Sequence, residues 1–306
     1  MKTFKLLFLI SVFVGLLAGC NKDEIFDDNV NDLKSGTHPI VNKEKGLDQE
    51  RFVRMDEIDL TVHYRIIGKG PIDMVFIPGW TNPLTVYTKQ FDYFRDKARC
   101  IYIDLPGHGL SDAPEGIEYT QQLMADAIYC IVKKEGLKKF IGVGFSWGDT
   151  PLKVFEMNHP GMIQQLMLLD VDIPTWPPMN EAIREGQRAF FSSLTYEQKT
   201  GMMNPDTPPD LLEVTSYFPD YPSWLMANLR YHWQAEENCQ PYPWDIPVLV
   251  LYNEMDEARE AKTRLHYPGC EIHLLGGSHH VIQWVDSERV NNFMDDFIAD
   301  RPGKKY

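Results

Sequence analysis

Ser146 lies in the run Gly-Phe-Ser-Trp-Gly at residues 144–148, between a short apolar stretch at 140–143 and a segment with helical spacing up to residue 158. The small residues Gly144 and Gly148 allow a sharp turn from strand to helix, which holds the serine hydroxyl above the carboxyl edge of a sheet. The backbone N–H of Trp147 would then face a developing oxyanion. The pattern predicts a nucleophilic role for Ser146.

A serine hydroxyl needs a base and an orienting acid to react at neutral pH. His279 and His280 come directly after the last apolar strand signal, at 271–275, and Asp256 comes just after another, at 248–251. The chain order serine, acid, histidine is the one expected for a nucleophile on a strand-to-helix turn. These residues predict acyl transfer, in which an acid orients a histidine and the histidine deprotonates the serine.

The elements that must position these residues alternate along the chain. Short, uniformly apolar runs are typical of strands buried on both faces. Segments with helical spacing separate them, and 51–67 predicts two antiparallel strands. The sequence therefore predicts an α/β fold with a mostly parallel twisted sheet and helices on both faces. The buried-strand signals are 72–77, 100–103, 140–143, 166–169 and 248–251, and the helical signals include 86–97, 120–135, 146–158 and 286–299.

Residues 173–246 interrupt this alternation, because a normal helical connection is far shorter. We expect a mainly helical cap inserted into a core made of 51–172 and 247–306. The cap is rich in aromatic side chains, which suit either an apolar cavity or the cap's own core. The aromatic residues of the cap are Trp176, Phe190, Phe191, Tyr217, Phe218, Tyr221, Trp224, Tyr231 and Trp233.

The N-terminus predicts export. Residues 1–19 combine a basic start with an apolar stretch that is too short to span a bilayer comfortably. The segment ends in Leu17-Ala18-Gly19-Cys20, which resembles the cleavage and acylation site of bacterial lipoproteins. Cys20 is therefore the expected lipidation site, and 20–50 the expected flexible tether. A plain secretory signal is the alternative. Either membrane face of the cell envelope, periplasmic or outer, fits a lipid anchor.

Composition excludes several other classes of function. The formal charge is −14, and removal of 1–20, with two lysines and no acid, makes it −16. Such a surface repels phosphate backbones, so we expect no nucleic-acid partner. No histidine spacing suits a metal, and Gly142 and Gly144 lack the third glycine of a dinucleotide site, so we expect no cofactor.

Cys100, Cys130, Cys239 and Cys270 permit three pairings or buried free thiols.

With these motifs in place, residues 60–300 resemble the capped α/β-hydrolases, which include esterases, lactonases, proline iminopeptidases and C–C bond hydrolases. The most specific match is Asp-Leu-Pro-Gly-His-Gly-Leu-Ser-Asp at 104–112, which is similar to that family's strand-loop signature. The resemblance implies a tight structural turn beside the site. Haloalkane dehalogenases and epoxide hydrolases of this fold use aspartate as the nucleophile, so a serine argues against their chemistry.

The resemblance also implies roles for further residues. The loop at 76–80 matches the one that supplies the other oxyanion donor, here the backbone N–H of Trp80, with Pro78 in place of the usual histidine. The acid turn of the family matches 253–256 and implies Asp256. Some relatives place the acid one strand earlier, which leaves Asp170 and Asp172 as reserve candidates.

The family's histidine motif matches residues 277–280, which implies His280 as the catalytic base, and His279 is its reserve. The expected activity is hydrolysis of a carboxylic ester or lactone of a small, largely apolar substrate. The first alternative is an aminopeptidase similar to proline iminopeptidases, with Glu236 and Glu237 as the obvious acids for a free amine. The second is a non-catalytic ligand-binding lipoprotein that retains the fold. Oligomeric state stays open.

Overall fold

The computed structural model describes residues 47–174, 178–277 and 279–299. Within them, eight strands form one sheet in the order β1-β2-β4-β3-β5-β6-β7-β8. Strands β3 to β8 run parallel to one another, and β2 pairs antiparallel with both β1 and β4. The strands are β1 (Asp48–Met55), β2 (Leu60–Ile67), β3 (Asp73–Ile77), β4 (Arg99–Ile103), β5 (Phe140–Phe145), β6 (Ile163–Leu169), β7 (Val248–Tyr252) and β8 (Glu271–Leu274).

Helices cover both faces of the sheet, and two apolar clusters fill the layers between. Every residue of β5 and β7 is buried, which explains why these strands are uniformly apolar. The helices are α1 (Thr88–Phe94), α2 (Gln121–Lys134), α3 (Asp149–Asn158), α4 (Glu181–Ser192), α5 (Tyr196–Gly201), α6 (Pro209–Thr215), α7 (Ser223–Trp233), α8 (Glu236–Cys239), α9 (Glu257–His266), α10 (Ile282–Val285) and α11 (Ser287–Ala299).

The sequence signals correspond closely to these elements. Thr120 caps α2 by accepting a hydrogen bond from the Leu123 N–H at 3.0 Å. Helices α4 to α8 lie between β6 and β7, in the segment that we expected to form a cap, and 173–246 is called the cap segment below. Strand β1 begins at Asp48, so the last three residues of the expected tether, 48–50, belong to the sheet.

The topology brings the residues of interest to one edge of the sheet. Strands β5, β6, β7 and β8 are consecutive neighbours and parallel, so their carboxyl ends meet there. Ser146 follows β5, Asp170 follows β6, Asp256 lies beyond β7 and His280 lies beyond β8. No helix within the described ranges is long and apolar enough to cross a membrane.

Candidate active site

Ser146 sits on a strained turn between β5 and α3. Its φ is +51°, a left-handed conformation that non-glycine residues rarely adopt. The turn is tight, because a side chain at either flanking glycine would clash with backbone atoms of other residues. A Cβ at Gly144 would lie 2.9 Å from the Gly148 carbonyl oxygen, and a Cβ at Gly148 would lie 2.5 Å from that of Ile77. The two glycines allow the strand-to-helix turn that presents the serine hydroxyl, as in a nucleophile elbow.

His280 connects this serine to an acid. Its Nε2 lies 2.8 Å from Ser146 Oγ, and its Nδ1 lies 2.5 Å from Asp170 Oδ2. A neutral imidazole that donates from Nδ1 to a carboxylate keeps Nε2 free to accept the serine proton. The side chain of His280 is half exposed, whereas that of Asp170 is 2% exposed. His280 can therefore take the proton of the serine hydroxyl, and the buried Asp170 carboxylate balances the positive charge that forms on the imidazole.

The acid next to His280 is Asp170, and this corrects the pairing expected from the sequence. Asp256 caps α9 instead, where its Oδ1 accepts a hydrogen bond from the Arg259 N–H at 2.7 Å. Asp170 has φ +44° and follows β6, the strand next to β5, so its side chain reaches the histidine. The reserve candidate thus occupies the position that the acid turn after β7 was expected to supply.

The other reserve residues lie nearby with different partners. The Asp172 carboxylate is exposed and lies 3.7 Å from Arg230, while its backbone N–H donates to the Ser146 carbonyl at 3.2 Å. His279 turns toward the cap segment, where its Nε2 lies 3.3 Å from Thr207 Oγ1. Its Nδ1 accepts a hydrogen bond from the Val281 N–H at 3.1 Å. Of the two histidines, only His280 is hydrogen-bonded to Ser146 in the described structure.

Arg259 holds Asp170 in place, and no motif in the sequence predicted this contact. Its guanidinium donates to Asp170 Oδ1 at 3.0 Å, to the Glu254 carbonyl at 2.7 Å and to the Val171 carbonyl at 3.2 Å. The Asn253 N–H donates to the same Asp170 oxygen at 3.2 Å. Asp170 Oδ1 is thus engaged by two donors, which leaves Oδ2 facing His280.

The loop after β3 lies against the nucleophile. A Cβ at Gly79 would be 3.0 Å from Ser146 Cβ, which is tighter than most real Cβ contacts, so the Gly79 backbone lies close against Ser146. Asn82 donates its N–H to the Gly79 carbonyl at 3.0 Å and closes a turn. Trp80, the residue expected to donate its N–H to the oxyanion, directly follows Gly79. Trp147, the other expected donor, directly follows Ser146 and is buried.

The signature loop at 104–112 packs against the turn that carries Ser146, with the ring centroids of His108 and Trp147 5.6 Å apart. Both oxygens of the Asp104 carboxylate accept hydrogen bonds, from the Leu84 N–H at 2.6 Å and the Leu110 N–H at 3.0 Å, and His63 Nδ1 lies 2.8 Å away. A Cβ at Gly109 would lie 2.2 Å from Asp104 Cγ. Burial lowers the pKa of His108 to about 4, so this histidine is neutral near pH 7. The loop therefore has the structural role that the resemblance implied.

A cavity of about 630 Å³ opens beside Ser146 and His280. Its wall carries both signs of charge. The lining includes the carboxylates of Asp172, Glu254 and Asp256 and the cations Arg259 and Lys262. Lys262 donates to the Ile173 carbonyl at 3.0 Å. The Trp80 ring packs on Phe191 and Phe218 of the cap segment, with ring centroids 5.2 and 6.4 Å away.

A buried polar network lies behind the nucleophile turn. Asp149 Oδ2 accepts a hydrogen bond from the Tyr267 hydroxyl at 2.8 Å, and Oδ1 accepts one from Thr150 Oγ1 at 3.0 Å. Burial raises the pKa of Asp149 to about 7, against the smaller effects of these hydrogen bonds and of Lys153. Lys153 donates to the carbonyls of Asn238 and Gln240, which ties α3 to the cap segment.

Several expected residues cannot be placed. Cys20, Trp176 and the side chains of Glu236 and Glu237 lie outside the described residues. Cys100 and Cys270 are buried free thiols, and Cys239 is buried in the cap segment. Within the described ranges, no group of three or more histidine, cysteine, aspartate or glutamate side chains is arranged to hold a metal ion.

Comparison with known proteins agrees with this architecture. Residues 74–205 match the family model for the alpha/beta hydrolase fold. A thermophilic esterase from Thermogutta terrifontis superposes with a TM-score of 0.67 at 20% identity, covering 78% of this chain and 93% of the esterase. The chain therefore has the α/β-hydrolase fold.

Proteins that are similar to this chain in sequence are also hydrolases. Epoxide hydrolase 3 from Xenopus tropicalis is 27% identical over 42% of this chain, and the match spans only 35% of that protein's length. The 2-(acetamidomethylene)succinate hydrolase from Mesorhizobium japonicum is 24% identical over 79% of this chain and 94% of its own. These similarities support a hydrolase of this fold, and they do not single out one substrate.

Proposed function

We propose that this α/β-hydrolase-fold protein is a serine hydrolase that cleaves a carboxylic ester or lactone of a small, largely apolar substrate. The observation that carries the proposal is the position of His280 between Ser146 Oγ, at 2.8 Å, and Asp170 Oδ2, at 2.5 Å. These are hydrogen-bond distances suited to proton transfer without rearrangement. The packing of Trp80 on Phe191 and Phe218 supports an apolar substrate portion.

In the proposed reaction, His280 Nε2 takes the Ser146 proton as Oγ attacks the substrate carbonyl. The negative oxygen that forms is stabilised by the backbone N–H groups of Trp80 and Trp147. His280 then returns the proton to the leaving alcohol, and Asp170 stabilises the imidazolium throughout. A water molecule, deprotonated by His280, attacks the acyl-serine and releases the acid. A lactone gives a single hydroxy acid by the same steps.

The epoxide hydrolases among the relatives do not change this proposal. Opening an epoxide through an enzyme-bound ester requires a carboxylate nucleophile, and the nucleophile position here carries Ser146. A serine that opened an epoxide would form a stable ether rather than a hydrolysable ester. We therefore expect turnover of p-nitrophenyl acetate or butyrate and no diol from styrene oxide.

The test of the proposal is ester and lactone hydrolysis by the purified protein. We expect turnover of short p-nitrophenyl esters that is lost in Ser146→Ala, which should fold normally because the change removes only a hydroxyl. The matched control is Ser193→Ala, at the exposed C-terminal end of α4. Equal activity of wild type and Ser146→Ala would contradict the proposal.

A second candidate is an aminopeptidase, and one observation favours it. Three carboxylates, those of Asp172, Glu254 and Asp256, line the cavity beside Ser146, where they could bind a free α-amine. Arg259 and Lys262 in the same wall weaken that preference. Comparison of proline p-nitroanilide with p-nitrophenyl acetate separates the two activities. If only the anilide is cleaved, in a Ser146-dependent manner, the aminopeptidase is correct.

We also propose that the protein is anchored to a bacterial membrane through a lipid on Cys20. The support is the apolar segment that ends in Leu17-Ala18-Gly19-Cys20. Expression in a bacterial host with radiolabelled palmitate should label the wild type, and Cys20→Ala should be unlabelled and absent from the membrane fraction. A wild type that is released unlabelled would support the plain secretory signal.

A further inference from the structure

The oxyanion loop is a four-residue turn at 79–82. The Asn82 N–H donates to the Gly79 carbonyl at 3.0 Å. That carbonyl belongs to the same peptide unit as the Trp80 N–H, and in a trans peptide the two groups point in opposite directions. The hydrogen bond therefore fixes the direction of the Trp80 N–H, and the Gly79 backbone that carries this carbonyl lies close to Ser146, since a Cβ at Gly79 would be 3.0 Å from Ser146 Cβ.

The turn places an unfavourable residue at its third position. Thr81 has φ +61°, where glycine or asparagine is usual and a β-branched side chain is strained. Its hydroxyl donates to the Trp80 carbonyl at 2.6 Å, which holds the turn only locally. Because the local preference of Thr81 opposes this conformation, we expect contacts from elsewhere in the molecule to stabilise it.

The cap segment supplies such a contact through Tyr217. Its hydroxyl donates a hydrogen bond to the Thr81 carbonyl, across 136 residues of chain. The Tyr217 hydroxyl is also close to the Asn82 side chain, and burial raises the pKa of its phenol. The phenol thus stays protonated, and a donor, at neutral pH. Phe218, the next residue, packs against the Trp80 ring.

We propose that Tyr217 is a positioning residue that holds the oxyanion loop in its strained turn, so that the Trp80 N–H points at the reacting carbonyl. This inference rests on the proposed function. Tyr217 does not touch the reacting atoms. It acts through Thr81 and the peptide of Gly79 and Trp80. Through this contact, the cap segment contributes to stabilisation of the transition state rather than to substrate binding.

The first test compares two tyrosine variants. Tyr217→Phe removes only the hydroxyl, and we expect kcat for a p-nitrophenyl ester to fall about three- to tenfold, with KM changed less than about twofold. Tyr221→Phe is the matched control, because Tyr221 is also buried in the cap segment and donates to a core carbonyl, that of Gly107. It should lose a similar amount of thermal stability while kcat stays near wild type.

The second test separates positioning from general loosening of the structure. Thr81→Gly removes the strain at φ +61°, so the turn no longer depends on the cap contact. In this background, Tyr217→Phe should lower kcat by about twofold or less, on the same hydrogen-bond scale. The inference is overturned if Tyr217→Phe leaves kcat unchanged, if it changes KM alone, or if its effect is as large in Thr81→Gly as in wild type. Absence of ester hydrolysis in the wild type would instead overturn the proposed function, and this inference with it.

Discussion

His280 Nδ1 lies 2.5 Å from Asp170 Oδ2, and the second oxygen of the same carboxylate accepts a hydrogen bond from Arg259 at 3.0 Å. The carboxylate is therefore fixed from one side and presents its other side to the histidine. Since the Asp170 side chain is 2% exposed, its interaction with an imidazolium is little screened by water. This relationship assigns the orienting role to the residue after β6.

Replacement of the two candidate acids tests that assignment. We expect Asp170→Asn to lower kcat by about four orders of magnitude, because the amide leaves His280 in the wrong tautomer. Asp256→Ala should retain ester hydrolysis near the wild-type rate and lower the free energy of unfolding by about 1 kcal/mol through loss of the α9 cap. Steady-state kinetics and urea unfolding measure both. The assignment is wrong if Asp256→Ala is the inactive variant.

The two adjacent histidines should differ as sharply. His280→Ala removes the base that contacts Ser146, so we expect a loss of about a thousandfold or more in kcat. His279→Ala removes contacts with Thr207 and the Val281 N–H, so we expect kcat to stay within about threefold of wild type. The order of activities, measured with one p-nitrophenyl ester, decides between them. Loss of activity in His279→Ala alone would refute the role of His280.

Local sequence motifs were sufficient to predict the fold and two of the candidate site residues. Ser146 and His280 were predicted from short runs beside strand signals, because a strand-to-helix turn and a histidine after a strand are each encoded within a few residues. The parallel strands were predicted from uniformly apolar runs, which are typical of strands buried on both faces. The sheet confirms the predicted fold, with β1 starting at Asp48 inside the expected tether.

Contacts between distant segments were not predictable in this way. Both Asp170 and Asp256 follow buried strands, and only the three-dimensional path of the chain decides which reaches His280. Three features depend on the tertiary fold and not on local sequence. They are the strained φ of Asp170, its hydrogen bond to Arg259 and the capping of α9 by Asp256. The same holds for Tyr217, whose partner Thr81 is 136 residues away.

The nucleophile turn should not tolerate a side chain at Gly148. A Cβ there would lie 2.5 Å from the Ile77 carbonyl oxygen and 2.8 Å from that of Pro78. We expect Gly148→Ala to lower the free energy of unfolding by about 1–3 kcal/mol and to abolish ester hydrolysis. Gly186→Ala is the control, since nothing lies within 4 Å of a Cβ in that part of α4, and it should raise stability by up to about 1 kcal/mol. Equal activity of the two variants would refute the tight-turn account.

The buried carboxyl of Asp149 predicts a pH dependence of stability. Its pKa is raised from 3.8 to about 7, with burial as the main cause, so the folded state holds this proton more tightly than the unfolded state. Its contribution to stability is therefore full below pH 4 and is lost as the pH rises to about 7. Tyr267, Thr150, Lys153 and Asp172 are the polar groups that influence it.

Asp149→Asn keeps the shape and removes the charge. We expect its melting temperature relative to wild type to be higher at pH 8 than at pH 5, because only the wild type must ionise a buried acid at pH 8. Differential scanning calorimetry at both values measures the difference. A relative melting temperature that is independent of pH would show that Asp149 does not titrate in this range.

The central claim is that Ser146 becomes covalently acylated during turnover. Rapid acid quench of the protein with p-nitrophenyl butyrate, followed by peptide mass spectrometry, measures this directly. We predict a butyryl group on the peptide that contains Ser146 in the wild type and none in Ser146→Ala. Ester turnover with no adduct at Ser146, or with the acyl group on another residue, would contradict the mechanism.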